Sequence, residues 1–321
     1  MCIRDRNRSS LGRRNALKKG EQLDALGVVK RLGPLHQPHR PHFESLSEVA
    51  VLPYLKGLVV AREQTEVNEA LARLRASFDA ALANTGFDPE LLPPVHGEGM
   101  SWLHPKFPGE FLLHSRFVEW LDDNDLGEEP AWKKVGGALR SLHRKTREPI
   151  PYACLLVGDG DHMGKTLDAM QDVEHHRAFS TGLDEFARGV GAVVEKHRGR
   201  LIYSGGDDVM AYLPLHSVLA CAAEITSFFD SVMSRICAGC GGQTPTFSAG
   251  LVIVHHLKPL YQAIELARRA EKHAKTCGRN GLAVIQSKRS GGDTSVFGHW
   301  GRESGLEGIV ERLLAMAGLY R

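Results

Sequence analysis

The sequence predicts an α+β fold built on a ferredoxin-like βαββαβ unit with flanking helical regions. Three observations carry that prediction. From about Pro149 onward, short apolar runs alternate with segments of helical spacing, in the order βαββαβ plus an extra αβ. A Gly-Gly pair separates two of the strand-like runs, which marks a hairpin, because glycine supplies the positive φ such turns need. Before that point the chain shows helical spacing interrupted by loops, with little strand pattern. The predicted arrangement lays helices over one face of an antiparallel sheet.

Taken in order, residues 1–45 are basic and then rich in Pro and His, with a short helical piece near Gln22–Leu32. From Ser47 to about Ala83 the apolar spacing is helical (Val51, Leu55, Leu58, Val59, then Leu71, Leu74, Phe78, Leu82), with Pro53 near a helix start. A loop-rich passage around Pro89, Pro93, Pro94 and Pro105 follows, then a helix over Trp132–Lys145. Tyr152–Val157 reads as a buried strand. Thr181 is the candidate cap of a helix ended by Gly199. Arg200–Tyr203 and Val209–Leu213 are the hairpin strands, and a helix runs from Ser217 to Ile236. Thr246–Val254 is the fourth strand, Pro259 opens a helix to about Lys275, and Leu282–Ile285 is a further strand. A closing helix covers about Leu306–Leu319.

Composition narrows the class. The 321 residues carry 40 Lys and Arg against 38 Asp and Glu, with 42% apolar residues. Those values exclude a wholly disordered chain, a collagen-like fibre and a disulfide mini-protein. No stretch reaches the ~18–20 apolar residues that span a bilayer, and the first thirty residues are too polar for a secretory leader, so the expected location is cytoplasmic. The charge is uneven: residues 1–40 hold ten basic against three acidic residues, net +7, and the remainder is −5. Such an arm suits a solvated tail or a nucleic-acid contact. Of the six cysteines, Cys154 and Cys221 fall in apolar patterns and read as buried. Cys237-Ala-Gly-Cys240 is the one CxxC; His255-His256 lies downstream but no second pair exists, so zinc is not expected.

The chemistry gathers at two carboxylate motifs. Strand one runs into Gly158-Asp159-Gly160-Asp161, and the hairpin carries Ser204-Gly205-Gly206-Asp207-Asp208. In a βαββ sheet the first strand lies beside the hairpin, so Asp159 and Asp207 are expected to converge with Asp161 and Asp208 nearby. Clustered carboxylates repel unless a cation joins them, and hard oxygen ligands suit Mg²⁺ or Mn²⁺. Glycines 160, 205 and 206 let backbone approach a triphosphate. The bland account is a set of ordinary Asp/Gly turns. Lys275 and Arg279, at i and i+4 by the end of the third helix, are candidate phosphate ligands; cation stabilisation of a helix C-terminus is the competing account.

Asp159-Gly-Asp161, Ser204-Gly-Gly-Asp-Asp208 and Ala274-Lys-Thr-Cys-Gly-Arg-Asn280 together resemble the nucleotide-cyclase palm of the GGDEF superfamily. The Asp208 in place of Glu, the run Phe247-Ser-Ala-Gly-Leu-Val-Ile-Val-His-His256 and Lys288-Arg-Ser-Gly291 resemble more narrowly the second palm of the large subunit of type III CRISPR effector complexes, Cmr type. Gly20–Arg31 is similar to the segment after that family's zinc-binding region. The resemblance covers about residues 15–35 weakly and 150–321 well. It implies conversion of ATP to cyclic oligoadenylates, with other complex subunits, guide RNA and target RNA as partners and no membrane contact. By the same resemblance Asp159, Gly160, Asp207 and Asp208 hold the metals, Asp207 and Asp208 being catalytic, while Asp161, Ser204, Gly205, Gly206, Lys275 and Arg279 bind nucleotide.

The resemblance also implies boundaries: 1–45 a basic remnant of the zinc region and linker, 46–148 mainly helical, 149–290 the palm, and 291–321 the start of a C-terminal helical domain. The chain departs from the family in lacking any His-Asp dipeptide and a first palm, and it reads Asn15-Ala-Leu-Lys-Lys19 where the zinc region would carry cysteines before Gly20. It is therefore expected to be part of a longer subunit. Two other readings stay open. A diguanylate cyclase would use the same palm with GTP, though it normally has Glu and Phe where this chain has Asp208 and Val209. A non-catalytic scaffold would bind only nucleotide, RNA or partner subunits.

Overall fold

A computed structural model describes residues 45–84, 92–93, 102–238, 243–301 and 307–319, with the backbone of the antiparallel two-residue strands Ile3–Arg4 and Gln22–Leu23. The helix expected near Gln22–Leu32 therefore begins as strand at Gln22 and otherwise lies outside the described residues. The chain divides into two compact units, Tyr54–Pro149 with the first 44 residues, and Ile150–Arg321 with Ser45–Pro53.

From Tyr54 to Pro149 the described residues of the first unit are mainly helical. Helix α1 (Leu46–Ala61) enters it at Tyr54, and α2 (Thr65–Asn84), α3 (His114–Asp123) and α4 (Pro130–Thr146) follow. Pro53 stands inside α1 rather than near its start. Helix α3 escaped the sequence reading, although Phe117, Trp120 and Leu121 give it the i, i+3, i+4 signature of a buried stripe. An aromatic core holds the unit: Phe78 meets Phe107 at 5.0 Å and Trp132 at 5.9 Å, and Trp120 meets Trp132 at 4.9 Å, all edge-on. Such pairs each add about 0.5–1.5 kcal/mol beyond burial.

The second unit is a six-stranded sheet: β1 (Tyr152–Asp161), β2 (Arg200–Gly205), β3 (Asp208–Leu213), β4 (Thr246–His255), β5 (Gly281–Gln286) and β6 (Thr294–His299). The spatial order is β2-β3-β1-β4-β5-β6, whose first four strands have the ferredoxin-like order read from the sequence. The β4–β5 pair is parallel and every other pair antiparallel, because a helix rather than a hairpin connects those two strands. Strand β6 was not expected. It continues the sheet beyond residue 290, into the stretch expected to open a helical domain.

Four helices join the sheet to its connections: α5 (Met163–Ala169), α6 (Val173–Lys196), α7 (Val218–Cys237) and α8 (Leu260–Thr276), with α9 (Ile309–Leu319) last. Helix α6 begins earlier than Thr181. Asp172 is its cap, accepting the His175 N–H at 2.8 Å, while Thr181 donates to the Arg177 carbonyl from within the helix. Strand alternation sorts the core. Cys154 and Leu156 of β1, Val209 and Ala211 of β3, and Phe247, Ala249 and Leu251 of β4 pack with Phe186, Ile225 and Phe229 of α6 and α7.

Helix α8 takes the opposite face, contrary to the expectation of helices on one side. Gly250, between Ala249 and Leu251, is where it docks: a Cβ there would strike the Ala267 carbonyl and the Glu271 amide. Ala263, Ala267, Ala270 and Ala274 give α8 the small-residue stripe such an approach requires. Cys154 and Cys221 are buried as predicted, and burial pushes both thiols up, Cys221 to about 12. Cys237 is buried too, and Cys240 lies outside the described residues. His256, the downstream zinc candidate, is buried against Ser47 with Oγ and Nδ1 2.9 Å apart.

Candidate active site at the end of strand one

Strand β1 is longer than its apolar run. The Gly158–Asp161 motif is not a turn but strand, paired residue for residue with Thr246–Ala249 of β4. Period-two alternation therefore sends Asp159 and Asp161 to one face, the face carrying α8, and the glycines to the other. Both glycines permit close packing. A Cβ at Gly158 would enter the Phe247 ring, and one at Gly160 would lie 2.8 Å from both Asp207 Oδ2 and Met163 Sδ.

That last distance places the hairpin tip against the end of β1. Gly205 pairs with Asp208, leaving Gly206 and Asp207 as a two-residue turn. Gly206 has φ +63° and Asp207 does not take positive φ, the pattern of a II′ hairpin. The structure thus brings Asp159, Gly160, Asp207 and Asp208 together. Asp159 lies close enough to both hairpin carboxyls to raise each of them. Burial first, then repulsion from Asp159 and Asp208, pushes Asp207 up to about 6. Asp208 is raised by burial and by Asp159, against the pull of Lys275.

Lys275 projects from the last turn of α8 between Asp159, with which it forms an ion pair, and Glu271, at 2.8 Å. Burial works to lower its pKa, but the hydrogen bonds to Asp159 and Glu271 outweigh it and hold the ammonium above its ordinary value. Glu271 was missed by sequence reasoning; its position one turn before Lys275 was the available signal.

Arg279 reaches the same strand end by another route. Helix α8 stops at Thr276, so the i, i+4 argument does not apply to it. Gly278, Arg279 and Asn280 take positive φ in succession, +113°, +64° and +45°. Left-handed backbone at non-glycine residues costs on the order of 1 kcal/mol each, less at Asn. The turn leaves Arg279 Nε 3.8 Å from Asp161 Oδ1 with its side chain 44% exposed.

Two expected nucleotide ligands are engaged elsewhere. Asp161 is 1% exposed and accepts from Ser248 Oγ at 2.8 Å, Thr246 Oγ1 at 2.9 Å and the Asn280 N–H at 3.1 Å. It is an internal anchor, because β1 is extended where a turn would have exposed the carboxylate. Ser204 donates its hydroxyl to the Ala187 carbonyl of α6 at 2.8 Å and so faces the other side of the sheet from Gly205. Thr246, Ser248 and Asn280 were not picked out; the β4 hydroxyls sit opposite Asp161 and Asp159 in register, a pairing visible only once the strands are aligned.

The donor set fits a hard divalent cation. Asp159, Asp207 and Asp208 offer carboxylate oxygens whose mutual repulsion such an ion relieves. Among the described residues no three carboxylate, His or Cys side chains are closed into a metal cage; here Asp159 is paired with Lys275.

Fold and site together define a palm with a convergent carboxylate cluster at the end of its first strand. Residues 152–283 match the family model described as Cas10/Cmr2, second palm domain. A curated relative, CRISPR system Cmr subunit Cmr2 of Pyrococcus furiosus, is 33% identical over 194 residues, which cover 51% of this chain and 22% of the relative. Among solved structures, the Csm1-Csm4 cassette in complex with cA4 aligns at TM-score 0.37 and 19% identity, covering 43% of this chain and 21% of that one. Csm1 in T. onnurineus aligns at 0.36 and 21% identity, covering 41% and 20%. The chain spans about a fifth of the length of these relatives. No described helix is long and apolar enough to cross a membrane.

Proposed function

We propose that this palm joins ATP into cyclic oligoadenylates, as part of the large subunit of a cytoplasmic type III CRISPR effector complex. Other subunits, guide RNA and target RNA are its proposed partners. One observation supports the reading above the others: Asp159, Asp207 and Asp208 converge so closely that burial and mutual repulsion hold Asp207 at about 6. A family palm with that cluster suits nucleotidyl transfer.

In this reading Asp159, Asp207 and Asp208, with the Gly160 backbone, hold Mg²⁺ or Mn²⁺. When bound, the cations lower the pKa of a ribose 3′-hydroxyl and neutralise charge on the attacked α-phosphate. The 3′-hydroxyl gives its proton to solvent as its oxygen forms a bond to the α-phosphorus, the bond to the bridging oxygen breaks, and pyrophosphate leaves. Gly205 and Gly206 let the hairpin backbone approach the triphosphate. Lys275 and Arg279 pair with its outer oxygens. No zinc is proposed.

The test incubates the protein with ATP or GTP and Mg²⁺ and identifies products by mass. The expected result is cyclic oligoadenylate from ATP, abolished in Asp207→Ala/Asp208→Ala. A cyclic dinucleotide from GTP would favour the diguanylate cyclase reading. Absence of product, with nucleotide and Mg²⁺ affinities unchanged by the double substitution, would favour the scaffold.

A further inference from the structure

The geometry points to Asp161 as a positioning residue that aims Arg279 at the nucleotide without touching the nucleotide itself. This deepens the nucleotidyl-transfer reading and rests on it for the role of Arg279.

Four observations carry the inference. Asp161 is a fully buried carboxylate held by Ser248, Thr246, the Asn280 amide and the Arg279 guanidinium. Its two hydroxyl donors come from β4, the rigid neighbour of β1, so the carboxylate is fixed from one side by the sheet. From the other side it receives the backbone N–H of Asn280, the last of three successive residues with positive φ. That turn follows the end of α8 and has few ties besides. The Arg279 N–H donates to the Ala274 carbonyl, and the Asn280 carbonyl lies 3.2 Å from both the Trp300 N–H and His299 Nδ1. A backbone conformation that two non-glycine residues adopt reluctantly persists when surrounding bonds over-determine it. Asp161 supplies the bond at its last residue.

Asp159, two residues earlier on the same face, faces Lys275. Asp161 faces Arg279. One strand therefore sets both candidate phosphate ligands, the first by a direct ion pair and the second through the backbone that carries it. Helical spacing cannot place Arg279, since α8 has already ended. Its direction is a property of the Gly278–Asn280 turn, and hence of what clamps that turn.

The experiment is a double-mutant cycle read two ways. Equilibrium ATP binding in Mg²⁺ is measured for the wild type, Asp161→Asn, Arg279→Ala and the double variant, with turnover at saturating ATP alongside. Tryptic cleavage after Arg279 is timed in the same four proteins, the arginine-free variants serving as blanks. The expected result is roughly tenfold weaker ATP binding in Asp161→Asn, a much smaller change in saturated turnover, and no additional loss when Arg279 is already Ala. Cleavage after Arg279 accelerates in Asp161→Asn because the turn is released. Unchanged ATP affinity in Asp161→Asn, or an equal loss in the Arg279→Ala background, overturns the inference. If Asp161→Asn does not fold, Ser248→Ala with Thr246→Val removes the clamp's donors and is judged by the same two criteria. A wild type that binds no ATP defeats the functional reading instead; the proteolysis arm still decides whether Asp161 holds the turn.

Discussion

Lys275 and Asp159, 116 residues apart in sequence, form an ion pair where the last turn of α8 passes the end of β1. The pair exists because Gly250 lets α8 lie almost on the backbone of β4, bringing the helix end over the carboxylate cluster. It also means that the cluster holds a cationic partner of its own, one that pulls Asp208 down while Asp159 and burial push it up.

Replacing that ammonium has two consequences of opposite sign. In Lys275→Met the carboxyls lose their cation, Asp208 rises further, and added Mg²⁺ relieves more repulsion than in the wild type. The shift in melting temperature on adding Mg²⁺ is therefore larger in the variant. ATP affinity moves the other way, falling about tenfold, the ~1.4 kcal/mol scale of a charge-assisted contact. Thermal melts with and without Mg²⁺, together with ATP titrations, check both.

The pH dependence follows from Asp207. Its pKa in the folded protein, about 6, lies above the ordinary 3.8. The folded state thus binds the proton more tightly than the unfolded chain. Its contribution to stability is complete below the ordinary value and is lost as pH rises through about 6. In metal-free buffer the melting temperature of the wild type falls, relative to Asp207→Asn, between about pH 4 and 6, and the two curves run parallel above. Mg²⁺ binding strengthens over the same window, since the cation needs the ionised carboxylates. A wild-type curve parallel to Asp207→Asn throughout would show that Asp207 is not perturbed.

Gly160→Ala tests the contact between strand and hairpin. The new methyl meets Asp207 Oδ2 and Met163 Sδ, which can swing aside, and Asp207 Cβ at 3.0 Å, which needs a shift of a few tenths of an ångström, so the melting temperature falls only modestly. Displacing the Asp207 carboxylate by about an ångström nevertheless lowers Mg²⁺-dependent turnover by about 100-fold. Equal turnover in the variant and the wild type would place Asp207 outside the chemistry.

Much of this site is legible in the sequence, and its gaps have physical causes. The βαββαβ order, the hairpin at Gly205-Gly206 and the meeting of Asp159 with Asp207 all follow from local pattern plus sheet connectivity. The direction of a side chain is harder to read. Asp161 is expected to bind nucleotide from the family resemblance, with an ordinary Asp/Gly turn as the alternative, whereas pairing along the full length of β4 keeps the motif extended and buries it. Arg279 looked helical because Gly278 marks only roughly where a helix ends. Helix α8 was placed on the wrong face because one glycine, Gly250, decides it, and a lone glycine in an apolar strand gives no sign of what approaches it. Strand β6 is half-exposed and reads as loop until its partner is known.

Gly250→Ala is accordingly the substitution that separates fold from chemistry. Unlike Gly160, Gly250 faces backbone: its methyl would meet the Ala267 carbonyl and the Glu271 amide, and neither can rotate away. Helix α8 must lift from the sheet, which opens the alanine stripe to water and costs roughly 1–3 kcal/mol as overpacking, more if the helix detaches. The lift also carries Lys275 and Glu271 away from Asp159. Chemical denaturation therefore shows a lower midpoint, and in whatever fraction stays folded ATP affinity falls at least as far as in Lys275→Met. Combining Gly250→Ala with Lys275→Met adds further loss of stability but little further loss of ATP affinity, because the first change has already withdrawn the ammonium. Full additivity in ATP affinity would mean that the seat of α8 does not position Lys275.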